Sequence, residues 1–168
     1  MKLHTVVFDT STLILLAKVD LLQGLAEKAN IIIPRQVKEE ALAKPQVYDA
    51  QLIDRMLKDG SIKTAHEVPA AGIKAIRDQF RIDTGEAAAL FLAKKRNWTL
   101  GIDDGPGIRA AKILGVSFVT AIHVLTGFYE QGYINSRSAV AKLEALEMWG
   151  RYNVQIIEDA RSRIQQER

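Results

Sequence analysis

Short, continuous runs of apolar residues recur along the first 120 residues of the chain, and longer stretches separate them. The strongest runs, Thr5–Phe8 and Asn30–Ile33, are rich in β-branched residues, and weaker strand candidates cover residues 61–64, 99–102 and 116–119. Continuous apolar strands that alternate with helices indicate a parallel sheet covered on both faces. Because such crossovers are right-handed, the pattern predicts an α/β fold, a three-layer α/β/α sandwich around a five-stranded, mainly parallel sheet.

The stretches between these runs have apolar residues three or four positions apart, which is typical of amphipathic helices. We predict helices over residues 11–29, with a break near Asp20, and over 35–43, 47–58, 70–80, 85–96 and 107–114. After Val119 the pattern contains no further strand, and helices are predicted over 121–131, 136–149 and 154–165. We therefore predict a domain over residues 1–135 and a helical C-terminal extension over 136–168, packed on the domain or on a second subunit.

Acidic residues fall near the ends of the predicted strands and at the starts of helices. In parallel α/β folds, ligands collect at the carboxyl ends of the strands, beside the helix starts. We expect the acids of this edge to lie close together. They are Asp9 after the first strand, Glu39 and Glu40 after the second, Glu86 at a helix start, and Asp103 and Asp104 after the fourth strand.

Carboxylates gathered at one edge suit a hard divalent cation. Mg²⁺ and Mn²⁺ prefer oxygen ligands and retain several waters, so three or four carboxylates suffice. Two such ions, roughly 4 Å apart, activate a water and stabilise the leaving oxygen of a phosphodiester. The pattern therefore predicts a metal site for phosphodiester chemistry.

Each acidic segment also has a structural interpretation. Asp9 could cap the next helix, and residues 83–86 fit a capping box. Glu39 and Glu40 could lie on a solvated helix face, and residues 103–107 form a plausible turn. The recurrence of acids in order at one predicted edge favours the metal site.

Residues 105–110 also match a dinucleotide fingerprint, but the two preceding aspartates would repel a pyrophosphate.

Composition restricts the possible functions only mildly. The chain has no cysteine, which excludes thiolate metal sites and agrees with a cytoplasmic protein. Its formal charge of +3 mildly favours an RNA partner, and no apolar run approaches the roughly 20 residues of a membrane helix. His4, His66 and His123 lack the spacing of a helical metal pair and are expected to be structural or solvated.

Several motifs together resemble the PIN-domain family, which includes the VapC-type toxins. They are VVFDTS at residues 6–11, IPRQVKEE at 33–40, DTGEAAAL at 83–90 and LGIDD at 100–104, followed by a helix and strand over 107–116. The resemblance covers roughly residues 5–135, and the order and spacing of the motifs are its most specific feature. It is closest to the branch that carries Asp-Thr-Gly-Glu and Asp-Asp.

The resemblance implies a sheet with strand order 3-2-1-4-5, an acidic pocket above its centre and Mg²⁺- or Mn²⁺-dependent cleavage of RNA. The family's four acids map to Asp9, Glu40, Glu86 and Asp104, with Glu39 as the fallback for Glu40 and Asp103 as a rival or auxiliary ligand for Asp104. Ser11 matches a hydroxyl position that supports the pocket, and Thr10 is the second choice. Two departures are a Glu at the third acid, where the toxins commonly have Asp, and a helical tail of about 35 residues beyond a compact toxin.

These expectations define a function and its rivals. We expect a metal-dependent endoribonuclease, the toxin of a toxin–antitoxin pair, whose antitoxin would block the acidic pocket. The alternatives are a non-catalytic module that binds RNA or protein, and a nuclease of housekeeping RNA processing. Basic residues that flank the acids are candidates for phosphate contact, or are ordinary solvated side chains: Lys18, Arg35, Lys38 and Arg109.

The tail predicts contacts rather than catalysis. Apolar residues at Val140, Leu143 and Leu146 make a homodimer plausible. The aromatic residues of the tail are better candidates for an interface than for the site: Tyr129, Tyr133, Trp149 and Tyr152.

Overall fold

A computed structural model describes residues 4–65 and 68–165 of the chain, so the prediction for His66 lies outside the described residues. Five parallel strands form one sheet in the order β3-β2-β1-β4-β5. The strands are β1 (Thr5–Phe8), β2 (Asn30–Ile33), β3 (Ile62–Thr64), β4 (Thr99–Gly101) and β5 (Phe118–Val119). The predicted class and strand order are confirmed. The fourth strand ends one residue earlier than predicted, and the fifth begins two residues later.

The centre of the sheet is fully covered. Val6, Val7 and Phe8 of β1 are inaccessible to solvent, which explains why this strand is apolar at consecutive positions rather than at alternate ones. In the register, Val7 lies beside Ile32 of β2 on one side and Leu100 of β4 on the other. The carboxyl ends of β1 and β4 therefore lie side by side.

Helices surround the sheet in the described part of the chain. The first seven are α1 (Thr10–Lys18), α2 (Leu22–Ala26), α3 (Arg35–Ala41), α4 (Tyr48–Lys58), α5 (Ala70–Phe80), α6 (Thr84–Arg96) and α7 (Gly105–Ile113). The predicted break near Asp20 is confirmed, because this residue has a φ of 53° and separates α1 from α2. A left-handed residue cannot continue an α-helix.

Three further helices follow the last strand: α8 (Ala121–Glu130), α9 (Ser136–Trp149) and α10 (Val154–Gln165). Leu143 and Leu146 of α9 and Ile164 of α10 are buried in the same core as the sheet. The helical extension thus packs on its own domain. Leu143 and Leu146 face this core, so they are not available for the homodimer contact that the sequence suggested.

No helix in the described residues is long and apolar enough to cross a membrane.

Candidate active site

The predicted acids converge at the carboxyl edge of the sheet because β1 and β4 are neighbours there. Asp9 directly follows β1, and its backbone N–H donates to the carbonyl of Gly101, the last residue of β4, at 3.0 Å. Asp103 and Asp104 come two and three residues after Gly101. Parallel pairing therefore brings the first and fourth acidic segments together although about 90 residues separate them in sequence.

Asp9 is fully buried at the centre of this edge. Its side chain caps α1: Oδ1 accepts from the Thr12 N–H at 2.9 Å, and Oδ2 accepts from the Ser11 hydroxyl at 2.7 Å. Burial nevertheless raises the pKa of Asp9 to about 6, since these hydrogen bonds only partly offset desolvation and the charge of Asp103 raises it further. The Ser11 hydroxyl thus contacts the Asp9 carboxylate, and its supporting role in the pocket stays a prediction.

Glu86 lies in the first turn of α6 and is 9% exposed. It forms a capping box with Asp83: the Glu86 N–H donates to Asp83 at 2.8 Å, and the Asp83 N–H donates to Glu86 at 3.3 Å. Burial raises the pKa of Glu86 to about 7, and the charges of Asp83, Asp104 and Asp9 raise it further. Glu86 therefore lies among other acids, and it also completes the capping box at the start of its helix.

Asp104 is half-buried and is the N-cap of α7. Its Oδ2 accepts from the Gly107 N–H at 3.2 Å. A Cβ on Gly107 would lie 4.0 Å from the Cδ of Glu86, so the first turn of α7 approaches the Glu86 carboxylate. Asp104 and Glu86 are therefore neighbours across two helix starts, and the charge of Asp104 contributes to the raised pKa of Glu86.

Asp103 points to a different set of partners. Its carboxylate accepts from the Ala121 N–H at the start of α8, at 3.0 and 3.3 Å, and from the Tyr152 hydroxyl at 2.6 Å. Burial raises its pKa, while these donors and the charge of His123 lower it. Of the two adjacent aspartates, Asp104 thus faces Glu86, whereas Asp103 lies beside Asp9 with its oxygens in hydrogen bonds.

The second acidic segment reaches the edge through Glu40 rather than Glu39. The Glu40 carboxylate accepts a hydrogen bond from the Thr10 hydroxyl. It also lies against Gly85, where a Cβ would be 3.0 Å from its Oε1. Glu39 instead forms a salt bridge with Arg35 at 2.6 Å on the exposed face of α3. Glu40 is thus the member of the pair that contacts the segments holding Asp9 and Glu86.

Thr12 and Tyr152 take part in the site although the sequence analysis did not assign them to it. Thr12 is fully buried and lowers the pKa of both Asp9 and Asp103. Its Oγ1 makes no hydrogen bond of normal geometry in the described structure. In the Asp-Thr-Ser-Thr run at residues 9–12, Thr12 follows Asp9 by three residues, which is a helical spacing. That spacing is the signal that could have identified Thr12. No local signal points to Tyr152.

The four basic candidates are placed differently. The guanidinium of Arg109 lies near the start of α7, where a Cβ on Gly105 would be 3.7 Å from its Nη1. Arg35 and Lys38 lie on α3, the helix that carries Glu40. Lys18 is the last residue of α1, a helix that begins at the acids, and its ammonium lies 4.2 Å from the centre of the Trp149 ring. The Arg109 guanidinium therefore lies beside Gly105, the residue after Asp104, whereas Lys18 lies at the far end of its helix.

The acids fit a hard divalent cation by their chemistry. The edge offers carboxylate oxygens beside the hydroxyl oxygens of Thr10 and Ser11. Within the described residues, no salt bridge is formed by any of the five acids, Asp9, Glu40, Glu86, Asp103 and Asp104. Burial raises the pKa of Asp9 and of Glu86, and the charges of neighbouring acids raise it further. A bound cation would relieve that repulsion. No three acidic or histidine side chains of residues 4–65 and 68–165 are grouped so that they could hold a metal ion as they stand.

Comparisons with known proteins agree with this geometry. The DUF3368 family model, described as a PIN domain, matches residues 5–166. No curated protein matches the chain. The solved structures that share its fold include the following two. A PilT N-terminus domain protein, SSO1118 from the hyperthermophilic archaeon Sulfolobus solfataricus P2, is 19% identical with a TM-score of 0.53, and the match covers 75% of this chain and 94% of that one. PAE2754 from Pyrobaculum aerophilum is 20% identical with a TM-score of 0.50, and the match covers 72% and 92%.

The family match includes both C-terminal helices, beyond the residues over which the sequence motifs resemble the family. The PIN domain is a nuclease-type fold, and its members generally use divalent metals. The chain belongs to the PIN-domain family.

Proposed function

We propose that the protein is a Mg²⁺- or Mn²⁺-dependent endoribonuclease that cleaves RNA phosphodiesters at the acidic edge. The observation that carries the proposal is the placement of Asp9, Glu86 and Asp104. These carboxylates repel one another across the starts of three helices, and no described basic side chain forms a salt bridge with them. Buried charges of one sign are costly unless they are paired or bind a metal.

Different residues of the chain would bind the ion, bind the RNA and orient the carboxylates. Asp9, Glu86 and Asp104 would hold the ion, and Glu40 would complete the site directly or through water. When bound, the ion supplies the positive charge that activates a water and stabilises the leaving oxygen. Arg109 lies at the rim, where a guanidinium can bind a phosphate of the RNA and align the scissile bond. The hydroxyls of Ser11 and Thr10 keep Asp9 and Glu40 oriented.

The biological role that we propose is the toxin of a toxin–antitoxin pair. An antitoxin that inserts a basic side chain among the unpaired acids would neutralise them and exclude RNA. A housekeeping role in RNA processing predicts the same chemistry without growth arrest. Expression of the wild type and of Asp9→Asn in a bacterial host separates the two: growth arrest by the wild type alone supports a toxin.

A second candidate has a specific observation in its favour. Asp9 and Asp104 each cap a helix, and Glu86 completes a capping box. The acids could therefore persist for stability alone, in a module that binds RNA or protein without turnover. Such a module predicts no specific response to a divalent cation.

Thermal unfolding with Mn²⁺ distinguishes the candidates. A ligand that binds only the folded state stabilises it by RT ln(1 + [L]/Kd), about 2.7 kcal/mol at a hundredfold excess over Kd. We expect Mn²⁺ to raise the unfolding midpoint of the wild type, and Asp9→Asn and Asp104→Asn to lose the rise. Asp59→Asn, a change at an exposed aspartate that accepts from its own turn, is the matched control. No rise for the wild type at millimolar Mn²⁺ would favour the non-catalytic module.

A further inference from the structure

The C-terminal extension reaches the acid site through a single tyrosine. Tyr152 lies in the connection between α9 and α10 and donates its hydroxyl to Oδ1 of Asp103 at 2.6 Å, across 49 positions of sequence. The connection is shaped for this contact, because a Cβ on Gly150 would come within 2.7 Å of the Tyr152 ring. A glycine at position 150 thus leaves room for the ring to fold over the end of α9.

Asp103 is held from two directions. The backbone N–H of Ala121 binds it from the start of α8, and Tyr152 binds Oδ1 from the tail. Two donors on different elements fix both the position of a carboxylate and its rotation about the Cβ–Cγ bond. The N–H of Ala121 alone, shared between the two oxygens, would leave that rotation free.

The fixed carboxylate lies beside Asp9. The Asp9 N–H donates to the Gly101 carbonyl at 3.0 Å, two residues before Asp103, so the two aspartates leave the same edge of the sheet side by side. The charge of Asp103 also acts on Asp9. The orientation of the Asp103 carboxylate therefore affects how the Asp9 carboxylate is placed, and the tail reaches the central acid of the site through Asp103.

We propose that Tyr152 is a positioning residue of the acid site, which holds Asp103 so that the Asp9 carboxylate is oriented for the divalent cation. The inference rests on the proposed function, since it assigns to the C-terminal helices a part in the same site. It also gives Asp103 and Asp104 different roles: Asp104 binds the ion beside Glu86, and Asp103 transmits the position of the tail.

The test compares Tyr152→Phe with Tyr133→Phe, which removes a hydroxyl from an exposed tyrosine that packs on Phe128 and Lys28. Free Mn²⁺ is measured by electron paramagnetic resonance at 25 °C on the full chain, with folding checked by circular dichroism. A hydrogen bond to a charged group corresponds to about a tenfold change in an equilibrium constant. We expect about tenfold weaker Mn²⁺ binding for Tyr152→Phe and no change for Tyr133→Phe. RNA cleavage at limiting Mn²⁺ should show a lower kcat with an unchanged KM.

A double-mutant cycle with Asp103→Asn tests the route. If Tyr152 acts through Asp103, the two changes are not additive, and Tyr152→Phe weakens binding no further in the Asp103→Asn background. Fully additive losses would overturn the inference, and so would wild-type affinity in Tyr152→Phe. If Tyr152→Phe does not fold, Asp103→Asn alone decides: unchanged Mn²⁺ affinity rejects the inference. A wild type that binds no Mn²⁺ rejects the proposed function itself, and the inference with it.

Discussion

Replacing Asp9 by asparagine should stabilise the protein at alkaline pH in the absence of a divalent cation. Asp9 is fully buried, and its pKa rises from 3.8 to about 6 on folding. One pKa unit corresponds to about 1.4 kcal/mol, so the ionised carboxylate costs the folded state about 3 kcal/mol. The amide oxygen of asparagine can still accept from the Thr12 N–H, so the cap is kept while the charge is removed.

The sign follows from proton linkage. A carboxyl whose pKa is raised on folding binds more protons in the folded state, so stability falls as pH rises through the interval between the two pKa values. Well below pH 3.8 the side chain is protonated in both states and the cost is absent; well above pH 6 it is ionised in both states and the cost is complete. We therefore expect Asp9→Asn to exceed the wild type by up to about 3 kcal/mol at pH 8 and by little at pH 4.

Urea denaturation at 25 °C in EDTA, repeated from pH 4 to pH 8.5, measures this difference directly. Asp59→Asn is the control, because Asp59 is exposed and hydrogen bonds from the side chain and the backbone of Ser61 hold its pKa below the ordinary value. This change should not stabilise the protein at high pH. A pH-independent difference between Asp9→Asn and the wild type, or a loss of stability at pH 8, would refute the reasoning.

Three further changes test the packing around the site and that of the C-terminal extension. Gly85→Ala places a Cβ against the flexible end of Glu40; we expect a change in the free energy of unfolding within about 1 kcal/mol but clearly reduced RNA cleavage, checked by urea denaturation beside a cleavage assay. Gly101→Ala drives a Cβ into the buried Phe8 ring, and should destabilise by about 1–3 kcal/mol in the same denaturation assay. Leu143→Ala should cost about 2–5 kcal/mol with one cooperative calorimetric transition, because this residue lies in the common core; a separate early transition would show that the extension unfolds independently.

Much of the fold could be predicted because its signals are local. The β-branched run Asn30–Ile33 and the helix Ala70–Phe80 have the bounds that the sequence pattern predicts. The last strand is shorter than predicted, since Val116 is buried but only Phe118 and Val119 pair with β4. Hydrophobic pattern reports burial, whereas strand length depends on which backbone groups meet a partner, and that is a tertiary property.

The same reasoning explains the tail. Leu143 and Leu146 repeat at helical spacing, which predicts an apolar face but not what covers it. In the structure the covering surface is the chain's own core. The exposed apolar residues of this region are others, Met148 and Trp149 at the end of α9 and Val154 and Ile156 in the first turn of α10. A homodimer therefore stays a prediction whose contact the pattern alone does not locate.

The choice between neighbouring acids shows where sequence reasoning stops. Glu39 and Glu40 differ by one position on a helix, and a rotation of about 100° sends one to Arg35 and the other to Thr10. For Asp103 and Asp104 the decisive partners are the N–H of Ala121 and the hydroxyl of Tyr152, at 18 and 49 positions' distance. The spacing of residues within a motif cannot predict partners that lie so far away in the sequence. Both assignments follow from tertiary contacts, and that of the glutamates is tested by replacing each in turn. Glu39→Gln should leave Mn²⁺ binding unchanged, whereas Glu40→Gln should weaken it.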